Sequence, residues 1–311
     1  MTRDVELRPG DRVGDAVYVG TWPAGTPEWH EARRTTINGS EVAPILGISP
    51  YESPFSLWHR KVGLVGDIEQ TPEMYWGSLH EATIREEFNR RHNRQFRPLG
   101  LFRHHQRTWQ GGGPDGIDGD EILEIKFAVR GDAWGPDGTD EIPVHYRAQV
   151  LWYLDVFGFQ RCHVVALIAG YDYREYLIEA SPDEVAFMRA KAREFLDSVE
   201  AGIRPPIDGH EATYQTVREL HPDIDPVQVE LPDHIAEPYL QALAAHRDAE
   251  AERRRCTALV LDAMGRARDA FYAGQLIARR QAKSHDGAVP YLVAARGVVD
   301  RFSATPKGTA A

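Results

Sequence analysis

The run Gly111-Gly112-Gly113-Pro114-Asp115-Gly116, followed by Glu121–Val129, restricts this chain more than any other part of it. Three glycines and a proline do not continue a helix, so the chain must turn there. The segment after the turn alternates: Leu123, Ile125, Phe127 and Val129 fall on one face of a strand, Glu124 and Lys126 on the other. That face reads either as the wet side of a one-sided sheet or as an acid and an amine set side by side for chemistry. A hairpin from the turn would bring Asp115 next to Glu124, although Asp115 also suits a plain Asp-Gly turn. Two carboxylates at that range repel unless a cation lies between them. One or two carboxylates completed by substrate phosphate is the usual form of a Mg²⁺ site.

Two helices offer further candidates. In the predicted helix Met74–His92, Glu81, Ile84 and Phe88 fall on one face, and a carboxylate turned toward the interior needs a partner or a metal. In the apolar helix Val144–Phe157, Gln149 and Tyr153 form a polar stripe one turn apart. A satisfied structural glutamine is the plain alternative for Gln149. Upstream, Arg33-Arg34-Thr35-Thr36-Ile37-Asn38-Gly39-Ser40 sets guanidinium groups before a helix start capped by Asn38 or Ser40. Helix starts bind phosphate through free N–H groups, and arginine adds a two-pronged clamp; an ordinary cap after a basic turn is the alternative.

Two cysteines, Cys162 and Cys256, are too few for a disulfide framework or for the four-cysteine iron–sulfur cluster of some nucleases. The formal charge of −11 argues against simple electrostatic coating of nucleic acid, but leaves room for a basic channel at Arg33-Arg34 or Arg90-Arg91. No stretch has the length and apolarity of a membrane span, and the first residues carry no apolar signal core, so the cytoplasm of a bacterial or phage-infected cell is the expected location.

The expected fold class is mixed α/β: a central mixed sheet flanked by helices, with a helical C-terminal extension. Residues 1–30 read as an arm, 31–206 as the core, 207–302 as the extension and 303–311 as a disordered tail. Short helices are expected at Ser40–Leu46 and Pro54–Val62, strands near Leu99–His104, Thr108–Gly111, Cys162–Ala169 and Arg174–Glu179, and a capping-box helix from Ser181 to Glu200. His234–Tyr272 reads as one long helix, with a possible hairpin of Gln275–Lys283 and Tyr291–Arg301 after it.

The ordered set GSEVAPILGISPYESPFSLWHRKVGL, WGSLHEATIREEF, GGPDGI, LEIKF and HYRAQVLWYLDVFG resembles the YqaJ-type viral recombinase family, relatives of phage lambda exonuclease within the PD-(D/E)xK nucleases. The resemblance spans about residues 32–206. It implies a PD-(D/E)xK, restriction-endonuclease-like core and a Mg²⁺-dependent (Mn²⁺-tolerant) exonuclease that degrades double-stranded DNA ends 5′ to 3′ and leaves a 3′ single strand. By that likeness Glu81, Asp115, Glu124 and the Ile125 carbonyl would hold metal. Asp115, Glu124, Lys126 and Gln149 would be catalytic. Arg33 or Arg34, with Ser40, would hold a 5′-phosphate. A ring-shaped trimer and a single-strand annealing protein as partner are implied in the same way. A restriction-like or repair endonuclease on the same core, and a catalytically inactive DNA-binding assembly module, are the competing readings.

Overall fold

The computed structural model describes residues 7–23, 25–282 and 289–304. The chain divides into two compact units, one to Ile224 and one from Asp225.

The first unit opens with β1 (Arg12–Val13) and β2 (Ala16–Gly20), then α1 (Pro27–Arg34), α2 (Gly39–Ile45), α3 (Pro54–Lys61) and α4 (Pro72–His92). There follow β3 (Leu101–His104), β4 (Gly111–Gly112), β5 (Gly116–Asp118), β6 (Glu121–Ala128), α5 (Val144–Phe157), β7 (Arg161–Ile168), β8 (Asp172–Glu179), α6 (Pro182–Glu200) and α7 (Glu211–Leu220). The strands form two sheets, in the orders β1-β2-β3-β4 and β5-β6-β7-β8. β5–β6 and β7–β8 are antiparallel, whereas β6 and β7 run parallel with Glu124 opposite Val164. A parallel pair needs a crossover, and α5 supplies it.

Local chemistry accounts for most of these elements. Thr71 caps α4 by accepting from the Met74 N–H at 3.3 Å, with Pro72 at the first position and Asn93 left-handed at the end. Ser53 and Ser56 cap α3 reciprocally, at 3.0 and 2.9 Å. α5 ends at Gly158, whose φ of 68° suits a residue without Cβ.

The second sheet is covered on both faces. Leu123, Ile125 and Val165 pack against Ile84 and Phe88 of α4. Ile122, Cys162, Val164 and Ala166 pack in the larger core with Leu151, Trp152 and Leu154 of α5. The face that carries Glu124 and Lys126 is therefore not a wet one: Glu124 is 1 % exposed.

Several expectations need correction. The presumed arm contains β1 and β2, with Ala16 fully buried and β2 paired to β3, because Val17-Tyr18-Val19 are the β-branched and aromatic types that favour a strand. The strand expected at 108–111 shrinks to Gly111–Gly112, joined by a bridge between Ile37 and Gln110. Ser181 stands at the cap of α6 without a side-chain cap bond, and Glu184 turns to Arg147 at 2.9 Å instead. The first unit also runs past residue 206. α7 seats on α3, with the Thr213 hydroxyl 2.6 Å from Ser53 Oγ and His210 Nε2 at 3.1 Å from the Ser49 carbonyl oxygen.

The second unit holds α8 (Asp233–Met264), the antiparallel strands β9 (Asp269–Tyr272), β10 (Gln275–Gln281) and β11 (Tyr291–Ala294), and α9 (Val298–Ala304). The long helix stops at Gly265 rather than reaching Tyr272, since glycine ends it and Phe271-Tyr272 favours a strand. The hairpin after it forms as β10 with β11. The expected disordered tail falls almost entirely on 305–311, outside the described residues. No helix among the described residues is long and apolar enough to cross a membrane.

Candidate active site

The site forms where β6 outruns β5. Pairing of these strands ends at Gly116 opposite Leu123, so the next N–H on that edge, that of Ile125, has no strand partner; it donates to Asp115 Oδ2 at 2.7 Å. A strand residue sends its N–H and C=O to the same side, so the Ile125 carbonyl points past the end of β5 as well. Asp115 is thus fixed beside the strand that carries Glu124.

On the α5 face, Glu124 Oε1 accepts from Lys126 Nζ at 2.5 Å and from Gln149 Nε2 at 2.7 Å. Glu124 Oε2 is buried with no hydrogen-bond partner. Burial pushes the Asp115 carboxyl well up, and the Glu124 charge adds to it. Burial likewise raises the Glu124 carboxyl, against the pull of Lys126. The Lys126 ammonium is held protonated by Glu124 and Asp115, which overcome its desolvation, and lies 4.9 Å from the centre of the Tyr146 ring. A lysine kept charged can position a group or offset negative charge, but is poorly placed to remove a proton.

Glu81 stands apart. α4 covers the opposite face of the sheet, so Glu81 reaches the acids only round the open edge beyond β5. Its Oε1 is 2.8 Å from Arg85 Nη1, which also donates to the Asp115 carbonyl oxygen at 2.8 Å. Its charge still pushes the Asp115 and Glu124 carboxyls upward. Among the described residues no three His, Cys, Asp or Glu side chains converge as a closed metal site. The donor set fits an open one: an unpartnered buried carboxylate oxygen, a second carboxylate beside it and a carbonyl directed the same way, all hard oxygen donors.

The arginine-rich turn divides its two candidates. Arg33 Nη2 donates to Ser40 Oγ at 2.9 Å and its guanidinium lies 4.1 Å from the Trp29 ring centre. Arg34 is 56 % exposed and pairs with Glu31 at 3.1 Å. Buried Lys61 braces this turn, donating to the carbonyl oxygens of Thr36 at 2.6 Å and Arg33 at 3.2 Å and pairing with Glu41 at 2.9 Å. Glu41 accepts from the Asn38 N–H at 2.9 Å, so Asn38 is the cap of α2. At the far end of α4, Arg90 and Arg91 both pair with Glu87, at 2.8 and 2.7 Å.

Tyr153 joins the two clusters. Its Oη accepts from Gln149 Nε2 at 2.9 Å, and its ring fills the space a Cβ would need at Gly39 (2.4 Å) and at Gly112 (2.8 Å). Its one sequence signal was the polar stripe shared with Gln149. His145 and Tyr146, beside Lys126, and Arg85, beside Asp115, gave no signal at all, because their places depend on how α5 and α4 pack.

Residues 28–160 match the YqaJ-like viral recombinase domain. The chain is 33 % identical over 208 residues to the YqaJ protein of Bacillus subtilis (strain 168), an alignment covering 64 % of each chain. A shorter similarity, 33 % over 58 residues, links it to protein D345L of African swine fever virus, covering 19 % of this chain and 17 % of that one. Among solved structures, the alkaline exonuclease LHK-Exo of Laribacter hongkongensis aligns with 57 % of this chain and 94 % of its own, at 23 % identity and a TM-score of 0.48. A phage-related exonuclease of Haemophilus somnus 129PT aligns with 54 % of this chain and 96 % of its own, at 10 % identity and a TM-score of 0.43. The matched residues run from within α1 to the end of α5 and include Arg33, Ser40, Glu81, Asp115, Glu124, Lys126 and Gln149.

Proposed function

We propose that this protein is a Mg²⁺-dependent exonuclease that degrades double-stranded DNA from phosphorylated 5′ ends, 5′ to 3′, and leaves 3′ single strands for recombination. The observation that carries the reading is the buried, unpartnered Glu124 Oε2 beside Asp115 and Lys126 on an open strand edge. A core carboxylate oxygen left bare is costly, and a divalent cation would satisfy it. The likeness of residues 28–160 to the YqaJ-like viral recombinase domain supports a nuclease of recombination.

Asp115, Glu124 and the Ile125 carbonyl would hold the ion, with Glu81 acting from the edge. Bound there, Mg²⁺ supplies polarisation of the scissile phosphate and a lowered pKa for the attacking water. Lys126 stays charged and offsets negative charge developing on phosphate. Gln149 fixes the Glu124 carboxylate by donating to Oε1, leaving Oε2 for the cation. Arg33, joined to Ser40, takes the terminal phosphate; Arg34 serves only if its pairing with Glu31 opens. The partners that follow are DNA ends, a single-strand annealing protein and further copies of this chain in a ring.

The test compares linear duplexes with 5′-phosphate or 5′-hydroxyl ends and covalently closed circles. The phosphorylated linear duplex should shorten from its 5′ strand, and Arg33→Ala should remove most of the preference for phosphate. A charge-assisted contact of about 1.5–3 kcal/mol makes that preference roughly tenfold to a hundredfold. Cleavage of closed circles at the linear rate would favour a restriction-like endonuclease instead.

A further inference from the structure

We propose that the Tyr153 hydroxyl is a substrate-phosphate donor set between the acids and the Arg33–Ser40 turn. The inference rests on the exonuclease reading and adds to it a residue that the sequence marks only by the polar stripe it shares with Gln149.

Tyr153 is 5 % exposed, on the part of α5 that passes beneath α2. Its ring is held between Gly39, the first residue of α2, and Gly112 of β4; an added Cβ would meet ring carbons at 2.4 and 2.8 Å. These two glycines let two backbone segments close on the ring and leave it little freedom to swing. The oxygen accepts from Gln149 Nε2 at 2.9 Å, so one side of the hydroxyl is occupied. Its own proton meets no acceptor among the described residues.

A buried hydroxyl whose proton lacks an acceptor is as unusual as a buried carbonyl without a donor. Here the surroundings name the missing partner. Glu124, Lys126, Asp115 and Arg33 are all near enough to interact electrostatically with Tyr153. Glu124 and Asp115 call for a cation, whereas Arg33 and Ser40 offer donors. An oxygen ligand reaching from one cluster to the other must be anionic, and in a nuclease it is phosphate. Gln149 spends one amide hydrogen on Glu124 and the other on Tyr153, so the acid and the hydroxyl are oriented by the same group.

The experiment separates this role from mere support of Gln149. Tyr153→Phe keeps the ring between the two glycines and removes the hydroxyl. Gln149→Ala keeps the hydroxyl and removes its anchor. For parent and variants, affinity is measured in EDTA for 5′-phosphorylated and 5′-hydroxyl duplexes, and initial rate with Mg²⁺. The Phe variant should lose about tenfold of the affinity ratio between the two ends, as loss of one hydrogen bond to a charged group implies. Gln149→Ala should lower the rate on both ends alike and keep the affinity ratio. A Phe variant with the parental ratio overturns the proposal, as does loss of the ratio in Gln149→Ala alone. If the Phe variant melts below the assay temperature, Gln149→Ala decides: it must keep the ratio. A parent that binds both ends equally refutes the end-dependent reading itself, whatever Tyr153 does.

Discussion

At the scale of single residues, the site is a competition between charges for too little solvent. Burial pushes Asp115 and Glu124 toward protonation, the Glu124 charge adding to it at Asp115 and the Glu81 charge at Glu124, and Lys126 is held charged beside them. The sign of the pH effect follows. A carboxyl whose folded pKa lies above its unfolded value keeps a proton that the unfolded chain has lost, so without metal these two groups favour folding less as pH rises through their folded values. A divalent cation must displace that proton. Mn²⁺ binding should therefore release protons and tighten as pH rises; calorimetry in buffers of different ionisation enthalpy reads both. Buffer-independent heats would remove Asp115 and Glu124 from the ligand set. In Lys126→Ala, metal and DNA binding should persist while cleavage falls by at least about a hundredfold, the scale of losing a donor to developing charge. Parental cleavage would contradict the assignment.

At the scale of elements, short polar motifs close the turns that follow the strands. His104 closes the turn after β3: its Nδ1 accepts from the Gln106 and Arg107 N–H groups, each at 3.0 Å. Burial, with Arg107 and His105 nearby, lowers its pKa to about 4. Below its ordinary value of 6.5 the unfolded chain takes up a proton that the folded turn refuses. The stability involved is complete above pH 6.5 and is lost as pH falls toward 4, by about 2–3 kcal/mol. His104→Asn keeps an acceptor without the titration, so its melting temperature should fall less steeply from pH 6.5 to pH 4 than the parent's. Identical slopes would place the acid sensitivity elsewhere. Sequence patterning found α3, α5, β7 and β8 well, since their apolar segments are bounded by Gly63, Gly158 and Gly170. It missed β1 and β2, which are short and gain their stability from pairing, β1 with β2 and β2 with β3.

For the whole molecule, the boundary between the units is the point most open to trial. The break at Gly202–Pro206 looks like a domain end, yet α7 beyond it supplies Thr213 to Ser53 and His210 to Ser49. A chain ending at Ile224 should unfold cooperatively and bind duplex ends as the parent does. One ending at Pro206 should be less stable by about 2 kcal/mol, because Ser53, buried at the cap of α3, loses its outside partner. Chemical denaturation compares the two; equal midpoints would show that α7 adds nothing to the first unit.

Alternation by itself put Glu124 and Lys126 on one face of a strand, and the glycine-rich turn put Asp115 within reach of it, because side-chain direction in a strand and the need to turn at Gly-Pro are local properties. The order of the motifs likewise carries the resemblance to the YqaJ-type family. What no local rule could decide was whether that face was wet. Tertiary packing decided it: α5 covers the face, leaves Glu124 Oε2 bare and seats Tyr153 between the acids and the Arg33 turn. Packing also separated Arg33 from Arg34, which spacing had left equivalent, since only the approach of α2 to α1 sets one guanidinium against Ser40 and leaves the other to Glu31. It turned Glu81 toward Arg85 as well, because α4 lies on the opposite side of the sheet from α5 and meets the acids only at an edge.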